Sequence, residues 1–594
     1  MKKVCLIITI VLLITMISAC SKENDSTQTT TTTQSQTQAQ TTKATTQATT
    51  TTAETSETTP ELELVTIKWL GTATSNYLDT AFPDDRVIKE LEKRTGVRID
   101  WSENVGVADP NQKIAVYLAA GDLPDVVMPV NAAELGVNMI TAKAVIPLDE
   151  LVEQYGPNLI QNCSKMIAFN KLSRSDDQNN LYCIAMGNKH SNLGQNGVSE
   201  AWVIRWDLYK ELGYPDVTNY DEFLELMKAM LELEPENPDG RKNYGLGFFL
   251  AEGWGSLMID RSMMFEQGYS NMGIYAIYVN TVTNKVEPRL TNPDSVFWRS
   301  MEFLNKAYRM GILDPESATL QYQTYLDKEA TKRYVAAPCN WMAGGANRTL
   351  MQESEGDKGY MPILVEPNPN GVWSITNLEA GNQAVAYIST NCEVPERVVQ
   401  LLDYCATEEG MHLLYNGVEG TDWEVQDGTP VIIGEYLESV INRENIIMES
   451  GINKYTWQLG VYSNPLNKNG YFNHFTMNTP GLPVNPIITD YKEHYDISFV
   501  QEKFVEFPKY TYDYGFQAAI ITSPNTEPDQ INNNVNNYVN SNIIKLIFLD
   551  DEAEFMESKD EAISKLKDMG ADILVEYCAN LYDEFNEKLE SMIN

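Results

Sequence analysis

Between residues 21 and 61 this chain has no aromatic residue and consists mainly of Thr, Gln, Ser and Ala, whereas all ten Trp and all 31 Tyr lie from Leu62 onward. That break limits what each part can fold into. A stretch so poor in apolar surface cannot offset the entropy of ordering its backbone. Residues 21–61 are therefore expected to form a disordered tether, with a Thr-rich glycosylated stalk as the alternative. The rest of the chain is longer than one hydrophobic core usually supports, so two lobes or more are expected.

Ahead of the tether, Lys2 and Lys3 precede a short apolar run over 4–16, which closes with Ile17-Ser18-Ala19-Cys20. A bilayer span needs about 20 apolar residues, so this run reads as a cleaved export signal, 1–19, rather than a transmembrane helix. The small residues before a thiol resemble the bacterial lipobox. That resemblance implies lipid on Cys20 and a protein held on the extracellular face of the cell membrane. A plain secretory signal with a chance cysteine is the alternative. One acyl chain gives about 0.8 kcal/mol per buried methylene and holds only marginally, so the lipobox reading favours more than one chain.

The chain has 44 Lys and Arg against 83 Asp and Glu, a formal net charge of -39. Such a balance argues against nucleic acid as a partner and against binding to anionic lipid through a basic patch. Its plain reading is solubility. Beyond Cys5 and Cys20 there remain Cys163, Cys183, Cys339, Cys392, Cys405 and Cys578, with no CxxC spacing. Cys163 with Cys183, or Cys392 with Cys405, are candidate disulfides, and buried thiols are the preferred reading. His190, His412, His474 and His494 are scattered without HExxH spacing, so neither a metal nor a cofactor is expected.

The opening of the globular part reads as βαβ. Val65, Ile67 and Trp69 alternate as a strand, Pro83-Asp84-Asp85 starts a helix with Val87, Ile88 and Leu91 on one face, and Gly96 ends it. Val97, Ile99 and Trp101 form the next strand, 111–120 a helix stopped by Gly121, and Val126-Val127-Met128 a buried strand. Alternating strands and helices predict a parallel sheet with ligand loops beyond the strand ends, at 71–77, near Asn104 and at 129–131. A second set begins near Ala201. Trp202-Val203-Ile204 is a strand, 206–212 a short helix, and Asn219 with Glu222 opens the amphipathic helix of Phe223, Leu226, Met227, Met230 and Leu231. Later, 384–388 reads as a strand and Pro395 begins a helix bearing Val398, Val399, Leu402 and Cys405. The fold class is α/β in two lobes.

Thr95-Gly96-Val97, then Ala120-Gly121-Asp122-Leu123-Pro124-Asp125, then 204–213 (IRWDLYKELG) resemble, in order and spacing, the extracellular solute-binding lipoproteins of ABC sugar importers, especially the LipO-like branch of family 1. Pro395-Glu396-Arg397, Asp403-Tyr404, Glu408-Glu409-Gly410 and Gly417-Val418-Glu419-Gly420 are similar to a recognisable segment of that branch, and 562–570 with 579–585 to its closing helices. The resemblance implies a periplasmic-binding-protein-like type II, or Venus-flytrap, fold that closes on a carbohydrate, an oligosaccharide above all, and docks on ABC permease subunits. By analogy lobe 1 comprises 62–200 plus 381–450 and lobe 2 comprises 201–380 plus 451–594.

A sugar presents an apolar C–H face to aromatic rings and a rim of hydroxyls to carboxylates and amides. Three tryptophans stand out. Trp254 lies in Glu252-Gly253-Trp254-Gly255 after the strand-like 244–250. Trp341, in Asn340-Trp341-Met342, resembles the stacking tryptophan of maltose-type binding proteins. Trp373 sits in Asn370-Gly371-Val372-Trp373. Packing between lobe elements is the alternative for each. Glu200 resembles a cleft carboxylate of the maltose-binding type, with a solvated acid before a strand as the alternative. Asn76 and Asn131 are candidates because their loops lie at strand ends. Some relatives carry a calcium loop of the form DxNxNGKxD, but 234–243 (EPENPDGRKN) departs from it in spacing and in its closing residue, so a solvated turn is expected there. No GxSxG elbow, P-loop or GxGxxG after a strand is present, and no catalytic residues are assigned. The rival classes are a surface glycan hydrolase, whose paired carboxylates carry no sequence signature, and a glycan-binding surface protein without a transport role.

Overall fold

The computed structural model describes residues 63–71, 78, 80–107, 109–129, 133–176, 178–186, 200–271, 274–354, 356–368, 373–377, 384–442, 446–461, 485–497, 500, 502–505, 509–513 and 526–593. All of them belong to the unit Glu61–Asn594. Cys20, the tether, Asn76 and Asn131 lie outside the described residues.

The first sheet is built around the strand Val65–Leu70, which pairs in parallel with Val97–Asp100 and with Val126–Val127. Between the first two runs the helix Arg86–Thr95, whose ends follow from local chemistry. The Asp85 carboxylate accepts from Ile88 N at 3.0 Å, and Gly96 ends the helix at φ 64. These are an N-cap and a left-handed C-terminal cap. Two further strands, Val385–Ile388 and Cys183–Ala185, complete the sheet, and Val385–Ile388 runs antiparallel to both its neighbours. The expected all-parallel sheet is thus mixed. The reason is topological: Val385–Ile388 comes back from the second lobe and enters against the direction of the opening strands.

The second lobe departs further from a parallel sheet, since its three-stranded sheet is antiparallel throughout. Its sheet centres on Trp202–Arg205, antiparallel to Ala336–Ala337 on one side and Tyr360–Ile363 on the other. The stretch 244–250 forms no regular strand and instead makes single bridges, Tyr244 to Tyr334 and Leu246 to Leu313. The helix Tyr220–Leu233 begins where Asn219 Oδ1 accepts from Glu222 N at 2.9 Å, and it buries Phe223, Leu226, Met227 and Met230.

Two large hydrophobic cores result. One gathers Ile67, Trp69, Trp101, Val127, Ile184, Tyr387, Val398 and Leu402. The other gathers Trp202, Phe223, Phe249, Trp298, Tyr334, Ile363 and much of the C-terminal third, out to Leu589. Ile452, Tyr455, Leu459 and Val461 pack into the first core, although their positions were expected in the second lobe. The ring of Tyr455 stacks on Trp101 at 6.0 Å, which holds that segment in place. The helix Ser164–Ser173 sits where the cores meet. Its Met166 belongs to the first, and its Phe169 reaches the second, edge-on to Phe585 at 5.1 Å.

The six cysteines from Cys163 to Cys578 are thiols, and all but the half-buried Cys392 are buried. Among the described residues no helix is long and apolar enough to cross a membrane.

Candidate functional site

Phe249 lies in the second core, and the chain that leaves it turns sharply into the 3-10 turn Gly253–Met258. The turn depends on Gly255, since a Cβ there would sit 2.1 Å from the Phe249 carbonyl oxygen. Trp254 is thereby laid over Phe249, with ring centroids 4.3 Å apart. Tyr322 packs against both, 4.9 Å from each ring. Trp341 enters from another direction, in the first turn of the helix Asn340–Glu353, and lies near-parallel to Trp254 at 6.4 Å and 23°. Both indoles remain 38% exposed. The structure therefore unites two of the three candidate tryptophans, 87 positions apart in sequence (341 − 254), into one aromatic platform.

Glu252 holds this platform. One oxygen accepts from Trp254 Nε1 at 2.8 Å and the other from Tyr322 N at 2.8 Å. A single carboxylate thus ties the two walls together through hydrogen bonds strengthened by its charge. Burial pushes the Tyr322 hydroxyl up to about 12, so it remains a neutral hydrogen-bonding group at ordinary pH.

One turn beyond Trp341, Gly344 and Gly345 occupy an exposed stretch of the same helix, with no atom within 4 Å of where a Cβ would point. Residues three and four apart share a helix face, so the open strip adjoins Trp341. Glycine inside a helix costs about 0.5–1 kcal/mol relative to Ala. No packing demand at either position offsets that cost. Sequence reasoning missed Glu252 and the Gly pair. The Gly pair had a visible signal, two adjacent glycines within an otherwise helical pattern just after a candidate tryptophan.

Glu200 is 8% exposed and fully engaged. Its two oxygens accept from Arg261 Nε at 2.8 Å and Nη2 at 3.1 Å. It lies close enough to contribute to the upward shift of the Cys339 thiol, which burial dominates. Here the acid is half of an ion pair at the entrance to Trp202–Arg205. Trp373 begins the strand Trp373–Asn377, which pairs in parallel with Lys509–Asp513. Its side chain lies outside the described residues, as do Asn76 and Asn131. Asn104 is buried, and its amide secures the end of the first strand by accepting from Gly71 N at 2.9 Å and donating to Trp69 O at 2.7 Å.

The turn over 234–243 closes on itself. Asn237 Oδ1 accepts from Asp239 N at 3.1 Å and Arg241 N at 2.9 Å, while its amide donates to Thr331 O at 2.9 Å. Glu234 is bound by the buried guanidinium of Arg205, which also grips Asp207. Among the described residues no group of three His, Cys, Asp or Glu is arranged to hold a metal ion.

No family model matches the chain. In sequence it is 23% identical over 283 residues to the fructooligosaccharide ABC transporter substrate-binding protein FusA of Streptococcus pneumoniae, covering 47% of this chain and 50% of that protein. It is also 23% identical over 354 residues to Lipoprotein LipO of Bacillus subtilis, covering 57% of this chain and 64% of that one. The matches thus span about half to two thirds of the length of these curated relatives. Among solved structures, FusA in complex with kestose superimposes with a TM-score of 0.59 at 16% identity over 88% of this chain and 100% of its own. The alginate-binding protein AlgQ2 without calcium ion gives 0.57 at 17% identity over 88% and 98%. An HMO-binding, ABC-transporter-associated solute-binding protein of Bifidobacterium longum infantis gives 0.57 at 14% over 88% and 98%. FusA, AlgQ2 and the Bifidobacterium protein are named for what they bind. The chain shares the two-domain fold of these solute-binding proteins, and in sequence it is similar to FusA and to Lipoprotein LipO.

Proposed function

We propose that this protein is an extracellular receptor, anchored by lipid on Cys20, that captures a carbohydrate between its two lobes and delivers it to the permease of an ABC importer. The lobes of this reading are 62–200 with 381–450, extended to Val461, and 201–380 with the C-terminal third. The observation that carries it is the platform of Trp254 and Trp341, with two near-parallel rings 6.4 Å apart that are partly exposed. Aromatic side chains of this size are normally buried, and contiguous exposed apolar surface marks a binding site. Two indoles side by side suit successive rings of an oligosaccharide better than a single sugar. The strip at Gly344 and Gly345 lets the ligand lie close to the helix, and Glu252 offers its remaining lone pairs to hydroxyl groups.

The protein acts in this reading as a binder and not as an enzyme. Of the described carboxylates near the platform, Glu200 is committed to Arg261, Glu252 holds Trp254 and Tyr322, and Glu329 is buried and accepts from Tyr325 OH at 3.1 Å. A hydrolase needs one carboxylic acid and one carboxylate free to reach a glycosidic bond.

A panel of neutral oligosaccharides, fructooligosaccharides among them, tested by thermal shift and for release of reducing sugar, checks this reading. The expected result is stabilisation by at least one glycan without turnover. Turnover of any glycan would replace the receptor with a hydrolase. For the anchor, Cys20→Ala is expected to leave the protein in the medium or as unprocessed precursor, and unchanged partitioning into detergent would remove the lipid from the account.

A further inference from the structure

The helix Glu527–Tyr538 runs on without a break into a π turn, Val539–Ile543. Such a turn is wound on i→i+5 hydrogen bonds, is rare, and is found frequently at functional sites. Val539 and Ile543 are buried in the second core, so the turn is held from its inner side. Asn540, next to Val539, is half-buried and meets the turn that bears Trp254.

Ser256 of that turn is buried, and its Oγ lies 2.7 Å from each of three oxygens: Gly253 O, Tyr275 Oη and Asn540 Oδ1. A hydroxyl has a single hydrogen to give. Tyr275 OH already supplies Gly253 O, at 2.5 Å, so the Ser256 hydrogen goes to Asn540. That bond orients the carboxamide, with its oxygen on Ser256 and its nitrogen turned the other way. Nδ2 faces the open side of the exposed Gly253, 3.9 Å from where a Cβ would sit. Among the described residues no acceptor meets either of its hydrogens.

We propose that Asn540 is a ligand-binding and specificity-determining residue, whose amide nitrogen donates to a hydroxyl of the glycan lying on Trp254 while Glu252, next to Gly253 in the chain, accepts from another. The inference rests on the carbohydrate reading of the platform and adds the class of glycan it takes, an uncharged one. A hydroxyl both donates and accepts, so neighbouring hydroxyls on one ring satisfy both groups. A uronate carboxylate only accepts, and it would meet Glu252 as a like charge. The bond from Ser256 sets the donor in place before any ligand arrives, which lowers the cost of ordering it on binding.

The test is calorimetric titration of the full-length wild type, Asn540→Asp and Asn540→Ala with the neutral glycan that stabilises the wild type most in the panel, to which an oligouronate is added. Asn540→Asp keeps an acceptor for Ser256 and loses the donor. Without glycan it is expected to melt within a few degrees of the wild type, and to bind the glycan about tenfold more weakly. Asn540→Ala loses the donor without adding charge, should bind several-fold more weakly, and serves if Asn540→Asp does not fold. Dissociation constants equal to that of the wild type in folded variants overturn the role of Asn540. A loss of affinity that comes only with a large fall in melting temperature in both variants makes the residue structural and also overturns it. Stronger stabilisation of the wild type by the oligouronate than by any neutral glycan overturns the uncharged class. In these cases a glycan has bound and the carbohydrate reading stands; a wild type that no glycan stabilises removes that reading and this inference with it.

Discussion

Two aromatic clusters of similar composition differ in what covers them. In the first core, Trp69 and Trp101 are 5.9 Å apart, Tyr455 stacks on Trp101, and neither indole has any exposed surface. In the second lobe, Trp254 and Trp341 are spaced at 6.4 Å, yet both are 38% exposed. Ring spacing does not separate a buried cluster from an exposed one; accessibility and polar support do. The hydroxyl of Tyr455 is drawn inward to the buried Asp85, which caps the first helix and also binds Lys454. The indole N–H of Trp254 is drawn sideways to Glu252 and leaves its ring open.

The contrast breaks first at the core. Trp101→Ala should cost about 3–5 kcal/mol of stability, because the space it leaves is walled by Trp69 and Tyr455. A chemical denaturation curve measures this, and a loss below about 1 kcal/mol would deny that this cluster is core. Trp341→Ala should do the reverse. Binding is expected to weaken roughly tenfold to a hundredfold, about 1–3 kcal/mol, with the melting temperature nearly intact. A large melting shift with normal affinity would move Trp341 into the core class.

Glu252→Ala should weaken binding by about 1–2 kcal/mol without altering any ring, since it frees Trp254 and leaves Tyr322 N without its acceptor. Equal affinity in the variant would show that the platform needs no such tie. The smallest effect is expected at Gly344 and Gly345. Replacing each by Ala should stabilise the helix by about 0.5–1 kcal/mol while lowering affinity, a rise in melting temperature opposed by a loss of binding. If affinity holds, the open strip beside Trp341 has no part in recognition.

The local chemistry of the fold was legible in the sequence, and its long-range pairings were not. Asp85, Gly96, Gly121 and Asn219 act within a turn or two of the chain, so their residue types suffice to mark helix ends. The direction of Val385–Ile388 depends on a long passage through the second lobe, and alternation of apolar residues carries no sign of it. Sites divide along the same line. Trp254 and Trp341 could be singled out from their sequence neighbours, but their adjacency rests on two segments meeting in space. Glu200 has the composition of a ligand carboxylate, and only the fold shows Arg261, 61 positions away, holding both its oxygens. Glu252 looked like one more acid in an acidic chain.

The most direct test of carbohydrate capture at the platform is calorimetric titration of the wild type and Trp341→Ala, side by side, with the glycan that stabilises the wild type most in the panel. Capture there predicts a defined dissociation constant for the wild type and one at least tenfold weaker for the variant, with both proteins melting within a few degrees of each other. Equal constants in two equally folded proteins would contradict it.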